Sequence, residues 1–496
     1  MKLLEKLQEI RSLTSAAETV GLEDELILKM AAEHPDLETA IDQAHREFHR
    51  LKTEYAELFQ LPEADLIHKL QEGFVNFYDE DTVNPYVAIA AKGPWLVTSH
   101  GAVLHDSGGY GMLGFGHSPS AILPAMNQEH VMANIMTASF SQHRLISCLH
   151  DEIGHSRQGD FRHPFAKFLC LNSGSEAVTV AARLADLHAN TQTSPGGRYD
   201  GRQIMMLAMK GGFHGRTERP AQASDSSLPN YQRLASFRDR KNLVTVEVNN
   251  IESLEAAFRR AEDNSWYYEM MFMEPVMGEG NPGVGVQRAF YDRARELTKK
   301  MGSLLLVDSI QAGLRAHGCL SITDYPGFQD CEAPDLETYS KAVNAGQYPL
   351  SILGMTKAAA SLYVRGIYGN TMTANPRALE VACAVLKQVT PELRKNIQER
   401  GKEFLQLFEE LKEEFPTAVT NVSGTGLLCA LHLNPEGYRV VGKNCIEKYL
   451  RKQGVGVIHG GKNALRFTPH FLIRSNEVQM IGDKIREALK RGPVYS

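Results

Sequence analysis

A carboxylate and an amine stand in this chain where a cofactor combining a pyridine ring with an aldehyde would need them. Asp308 closes the apolar run Ser303-Leu304-Leu305-Leu306-Val307, and Lys341 follows, one crossover further on, in Thr338-Tyr339-Ser340-Lys341-Ala342. A lysine amine holds a cofactor aldehyde as a Schiff base. An aspartate at the end of a buried strand keeps a pyridine nitrogen protonated, so that the ring accepts electrons from a carbanion. The pair points to pyridoxal phosphate chemistry.

Four turns could complete such a site. Asn172-Ser173-Gly174-Ser175-Glu176-Ala177 follows a strand and opens a helix. Its small residues let backbone approach a phosphate at the positive end of the helix dipole, although a plain serine N-cap explains the same residues. In Gly211-Gly212-Phe213-His214-Gly215-Arg216-Thr217, Phe213 can cover one face of a heteroaromatic ring and Arg216 can grip a carboxylate with two prongs. The plainer alternative makes Phe213 core and Arg216 a solvated loop residue. Met273-Glu274-Pro275-Val276-Met277-Gly278-Glu279-Gly280 sets two acids at a strand end, as partners for arginines or as a surface turn. In the fourth turn, Gln311 is spaced from Asp308 so that its amide can reach a ring oxygen.

The elements that must position these turns are legible as apolar runs at 165–171, 204–209, 270–273 and 303–307, separated by helical patterns at 176–189, 251–261 and 288–301. Strands without alternation, separated by helices, indicate a parallel sheet covered on both faces, with ligands at the carboxyl ends of the strands. We expect an α/β fold with a mostly parallel central sheet and helices on both faces, plus a smaller α/β domain and an N-terminal helical extension. The expected division is a helical arm over 1–85, the first part of a small domain over 86–150, a large cofactor-binding domain over 151–376, and the rest of the small domain over 377–496. Within the last, strands are expected at 426–431, 455–458 and 464–467 and a terminal helix at 476–490.

Composition excludes other classes. The 496 residues are 43% hydrophobic and 23% charged, and 53 basic against 59 acidic residues give a net charge of −6, so no nucleic-acid partner is expected. No apolar run is long enough to span a bilayer, and the amphipathic start MKLLEKLQEIRSL lacks a secretory h-region. Seven scattered cysteines without a CxxC pair fit reduced thiols in the cytoplasm.

Taken in order, NSGSEA, GGFHGRT, MEPVMGEG, VDSIQ, SKA, YGNTMTANP and ALRFTP resemble the class III aminotransferases of pyridoxal phosphate fold type I, and among them the ornithine, acetylornithine, GABA and lysine ω-aminotransferases. The resemblance covers about residues 90 to 490. It implies that Lys341 bonds the cofactor and carries the proton, that Asp308 pairs with the pyridine nitrogen, and that Gln311 contacts the ring oxygen. Gly174 and Ser175 would hold the phosphate, with Phe213 stacked on the ring, His214 beside it and Glu274 also at the cofactor. Thr371, in Gly369-Asn370-Thr371, would reach the phosphate of the partner subunit in a homodimer. On the substrate side it implies Arg216 and Arg466 as carboxylate grips, Glu279 as the acid that pairs with an arginine, and Tyr110 as a substrate-facing aromatic. Departures are Ser309 where an acid is usual, Thr373-Ala374 before Asn375-Pro376, a longer stretch between Asp308 and Lys341, and the long N-terminal arm.

The implied activity is transfer of the amino group of an ω-amino acid to a 2-oxo acid, 2-oxoglutarate in particular, by a ping-pong cycle. An aminomutase or racemase on the same scaffold, and a catalytically silent binding relative, are the alternatives. Gly109-Tyr110-Gly111-Met112-Leu113-Gly114 fits GxGxxG literally, but Phe115 to Pro119 interrupts the helix a dinucleotide site needs. His150, His155 and His163 match no zinc spacing, and no metal is expected.

Overall fold

The computed structural model describes residues 2–159, 162–238 and 241–492. The chain forms two compact units. One comprises residues 1–120, 399–423 and 429–496, the other 121–398 and 424–428. The unit boundaries fall at 120/121 and 398/399, and residues 1–85 group with the first unit.

The small unit begins with four helices, Leu3–Ser12 (α1), Asp24–Glu33 (α2), Pro35–Glu54 (α3) and Glu63–Gln71 (α4). Pro35 starts α3, where a missing N–H costs nothing, and Leu37, Ala40, Ile41, Ala44 and Phe48 form its buried stripe at helical spacing. Backbone bonds tie this region to distant chain: Val20 N–H donates to Lys452 O and Leu22 N–H to Val103 O, both at 2.9 Å. These contacts are why the helices join the small unit. Strands Ala88–Lys92 (β1), Trp95–Thr98 (β2) and Val103–Asp106 (β3) follow.

The large unit is built on a seven-stranded sheet of Lys167–Leu171 (β4), Gln203–Met209 (β5), Leu243–Val246 (β6), Trp266–Met273 (β7), Leu304–Asp308 (β8), Leu336–Tyr339 (β9) and Ser351–Met355 (β10). Its order is β4-β10-β9-β8-β7-β5-β6, with β10 antiparallel to both neighbours and the β9-β8-β7-β5-β6 pairs parallel. Helices Leu123–Asn127 (α5), Phe140–Glu152 (α6) and Gly174–Thr193 (α7) belong to this unit. The apolar runs lack alternation because both faces are buried. Met206, Phe272, Leu304 and Leu306 pack with the Ala177–Ala185 face of α7, while Met205, Leu207, Met271, Leu305 and Val307 pack into a second core on the other face. Each such side chain contributes about 1.5–3 kcal/mol of burial. The sheet is thus fixed on both sides up to Asp308, the last residue of its central strand.

The chain then returns to the small unit. Val419–Thr425 (β11), Leu428–Leu433 (β12), Ile458–Gly460 (β14) and Ala464–Phe467 (β15) form a four-stranded sheet, and Val455–Gly456 (β13) pairs in parallel with β3. The terminal helix runs Ser475–Arg491.

Candidate active site

Asp308 ends β8 with its carboxylate buried. The Thr338 hydroxyl, its register partner on β9, donates to Oδ1 at 3.1 Å, and the Ile310 N–H reaches the same oxygen at 3.3 Å. His214 Nδ1 lies 2.9 Å from Oδ2, so its proton sits on that nitrogen toward Asp308. His214 is itself buried, its N–H donating to Ser224 Oγ at 2.8 Å. A carboxylate with three donors is held in place.

Lys341 follows β9 after Ser340 and opens a 3₁₀ turn, Lys341–Asn344, with φ +45°. A non-glycine residue in this left-handed region carries strain of order 1–3 kcal/mol, a pattern that gathers at functional positions. Its Nζ donates to Gln311 Oε1. Gln311 is buried, and its Nε2 has no hydrogen-bond partner among the described residues. Gly278 makes room for this side chain, since a Cβ there would fall 2.6 Å from Gln311 Cγ.

The turn carrying Phe213 is fixed from the next strand. Glu274 accepts from Phe213 N–H at 2.9 Å through one oxygen and from Gly278 N–H at 2.8 Å through the other. Burial pushes the Glu274 carboxyl up to about 7, against the pull of His214 and the two N–H donors. Phe213 is half-buried, with the Arg216 guanidinium 5.6 Å from its ring centre. Arg216 is exposed, and Glu279 is half-buried in the turn after β7.

At the start of α7, Ser173 caps the helix by accepting from Glu176 N–H at 3.3 Å, and Glu176 returns the bond to Ser173 N–H at 3.1 Å. A Cβ on Gly174 would lie 2.6 Å from Ile310 Cδ1, and one on Gly215 2.4 Å from Ser175 Oγ, so glycine keeps three turns in contact. Ser175 Oγ accepts from Arg216 N–H at 3.1 Å. Glu176 also binds the loop before Thr371, accepting from Tyr368 OH at 2.6 Å and Asn370 Nδ2 at 2.9 Å. Thr371, the next residue, is exposed.

These residues fit pyridoxal phosphate. The unpartnered Gln311 Nε2 beside Lys341 Nζ asks for an acceptor oxygen, which the ring hydroxyl would supply. The first N–H groups of α7 have no acceptor within the helix and suit a phosphate.

Arg466 and Tyr110 belong to the other compact unit. Arg466 is buried on β15, opposite Ala430 of β12 and Ile458 of β14. The loop carrying Tyr110 meets the same strand end, for Thr468 N–H donates to Ser107 O at 2.7 Å. The Tyr110 side chain lies outside the described residues; its backbone forms the 3₁₀ turn Gly109–Gly111. Asp106 accepts from Gly108 and Gly109 N–H at 3.1 and 2.9 Å, and among the described residues the next α-helix starts only at Leu123, so the GxGxxG stretch is a fixed loop. The rings of His150 and His163, in the large unit, lie 5.0 Å apart at a 41° tilt.

Thr338 and the Ile310 N–H were not expected at the site. Finding them requires the β8–β9 register, which no local spacing in the sequence reports.

A family model, aminotransferase class-III, matches residues 77–489. Ornithine aminotransferase 2 of Staphylococcus saprophyticus is 28% identical over 418 residues, 82% of this chain and 94% of that protein. Acetylornithine aminotransferase of Prochlorococcus marinus is 28% identical over 321 residues, 64% of this chain and 72% of that one. Among solved structures, ornithine aminotransferase of Toxoplasma gondii superposes with a TM-score of 0.73 at 21% identity, covering 89% of this chain and 98% of its own. The chain belongs to the class-III aminotransferase family, and is a transaminase of fold type I whose cofactor is pyridoxal phosphate.

Proposed function

We propose that the enzyme moves the amino group of an ω-amino acid of the ornithine, lysine or GABA kind to 2-oxoglutarate, by a ping-pong cycle, as a cytoplasmic homodimer. The observation that carries this reading is the pairing of Lys341 with a half-satisfied Gln311 in the unit where Asp308 holds three donors. The names of the relatives, ornithine and acetylornithine aminotransferases, support the donor class.

Pyridoxal phosphate, when bound, supplies the carbonyl that takes up the amino group and a protonated ring that withdraws electrons from the reacting carbon. Lys341 Nζ would hold the cofactor through that carbonyl and would carry the proton off the amine-bearing carbon of the donor. Asp308 holds the proton on the ring nitrogen, with His214, Thr338 and the Ile310 N–H as positioning groups. Gln311 Nε2 donates to the ring oxygen. Phe213 covers the ring on a turn that Glu274 positions through its two backbone bonds. Gly174 and Ser175 bind the phosphate from the start of α7, and Thr371 reaches the phosphate of the partner subunit. Arg216 and Arg466 take carboxylates, Glu279 neutralises one of them when the donor carries none there, and Tyr110 faces the substrate.

A donor-by-acceptor screen tests this. We expect an ω-amine donor to convert 2-oxoglutarate into glutamate, and Arg466→Ala to raise the acceptor KM roughly 10²-fold with cofactor content unchanged, as expected for loss of a charged two-pronged contact of 2–5 kcal/mol. Isomerisation of a donor without glutamate would favour an aminomutase and overturn the reading.

The homodimer is supported by apolar side chains that the large unit leaves exposed, Val131 at 83%, Met136 at 89% and Phe140 at 80%. Phe140→Asp is expected to raise the dimer dissociation constant at least about 30-fold, the effect of losing a 2 kcal/mol anchor. Cofactor loss on dilution should follow. Sedimentation of an unchanged dimer would remove Phe140 from the interface. The cytoplasmic assignment is supported by seven cysteines present as thiols, five of them buried. No helix among the described residues is long and apolar enough to cross a membrane.

A further inference from the structure

Two histidines and a glutamate meet on α1 and α3, ahead of the residues that the family model matches. His45 and His49 stand one turn apart on α3, so both imidazoles leave the same face. Glu9 reaches them from α1: Oε2 is 2.9 Å from His45 Nε2, Oε1 is 3.2 Å from His49 Nε2, and the two Nε2 atoms are 3.3 Å apart.

Hydrogen bonding to Glu9 accounts for two of these contacts and leaves the third, between the two nitrogens, unused. If both Nε2 atoms donate to the carboxylate, one to each oxygen, the two nitrogens sit 3.3 Å apart with no bond between them. If one is deprotonated to accept from the other, its lone pair faces a carboxylate oxygen. One cation resolves all three contacts at once. Ligands bound at about 2.0–2.1 Å and 90–110° apart are about 2.9–3.4 Å from each other, the range in which the two Nε2 atoms lie from one another and each from one of the two Glu9 oxygens.

The frame beneath them is fixed. Ile10, Phe48 and Phe59, next to these residues, form one buried cluster, and the Phe48 ring packs edge-on against His49 at 5.5 Å. The contacts Lys6–Asp42 and Lys52 Nζ to Leu13 O lie before and after Glu9–His45/His49, so the helices run side by side in one direction. All three side chains are partly exposed, which lets an ion enter and leaves room for water as a further ligand.

We propose that Glu9, His45 and His49 form a zinc site that staples α1 to α3. Imidazole and carboxylate donors suit Zn²⁺, and binding to the folded pair alone makes the ion stabilise the N-terminal helices. This site departs from the expectation of no metal, which rested on His150, His155 and His163.

The test uses the tag-free, cofactor-loaded full chain, stripped with chelator and titrated with zinc chloride by calorimetry. We expect one zinc per chain, a rise in Tm on zinc addition, and X-ray absorption showing two imidazole nitrogens in the zinc shell. Removing a group behind a metal ligand costs 10–100-fold in affinity, so removing the ligands in His45→Ala/His49→Ala should weaken binding more than about 100-fold. Transaminase activity and circular dichroism should stay at the wild-type level. Glu9→Gln, which keeps the side-chain shape, should weaken zinc binding in the same sense. No zinc uptake overturns the proposal. So does uptake that survives in the double variant, whether it resides on cysteines or on the buried His105, His470 and Glu477.

Discussion

Lys341→Ala is expected to lower the transamination rate at least about 10⁴-fold while the protein stays folded and still takes up pyridoxal phosphate. A positioned proton carrier is worth 10²–10⁴-fold, and this side chain also forms the covalent bond to the cofactor. The fold should tolerate the change because the side chain is only half-buried and its Nζ donates to Gln311 Oε1, a side-chain acceptor. Asp308, the start of α7 and Phe213 are untouched, so affinity for the cofactor should fall far less than the rate. Stopped-flow measurement of a single turnover with saturating donor reads the proton step directly. Added small amines should restore part of it. A variant keeping a tenth of the wild-type rate would remove Lys341 from proton transfer.

Asp308→Asn tests the other end of the ring. The amide has nearly the shape of the carboxylate but no charge, and its NH₂ would face either His214 Nδ1 or the Thr338 hydroxyl, both of which donate to Asp308. Breaking a buried charge pair costs about 3–5 kcal/mol, or roughly 10²–10⁴-fold in rate. We expect kcat to drop within that range, with weakened cofactor retention on dialysis. His214→Asn should show a smaller loss in the same direction, as befits a positioning residue. Equal losses in all three variants, with lowered Tm, would point to a general collapse of the sheet end.

The large sheet is legible at β4, β5, β7 and β8, whose runs are apolar on both faces. The helix Arg288–Met301 and the strand Ala464–Phe467 lie where the pattern puts them. Three strands were not read, β6, β9 and β10, and β9 shows why. Its sequence Leu-Glu-Thr-Tyr carries Glu337, a residue type that reads as surface, yet it is fully buried. Ser309 Oγ, Ser321 Oγ and the Ile322 N–H donate to its carboxylate, which burial pushes up to about 7. Ser309, a departure from the family pattern, is thus one of the donors that make the buried acid tolerable. Thr338 beside it reaches Asp308 only through strand register.

The unit boundaries were not legible because one falls inside the helix Pro391–Glu414, where composition does not change. The N-terminal helices join the small unit through contacts hundreds of residues away, such as Lys484 with Glu23 and Arg474 with Glu33 O. Local periodicity carries no record of such pairings. Within the site, Asp308 and Lys341 were put forward from residue type and chain position, whereas Thr338 and the Ile310 N–H, which meet Asp308 only through the fold, were not.

Borohydride reduction of the purified holoenzyme, followed by peptide mass mapping, tests the central assignment most directly. The site described here predicts the reduced cofactor mass on the peptide containing Lys341 alone, with loss of activity in step with labelling. Cofactor mass on another lysine, with Lys341 unmodified, would contradict it.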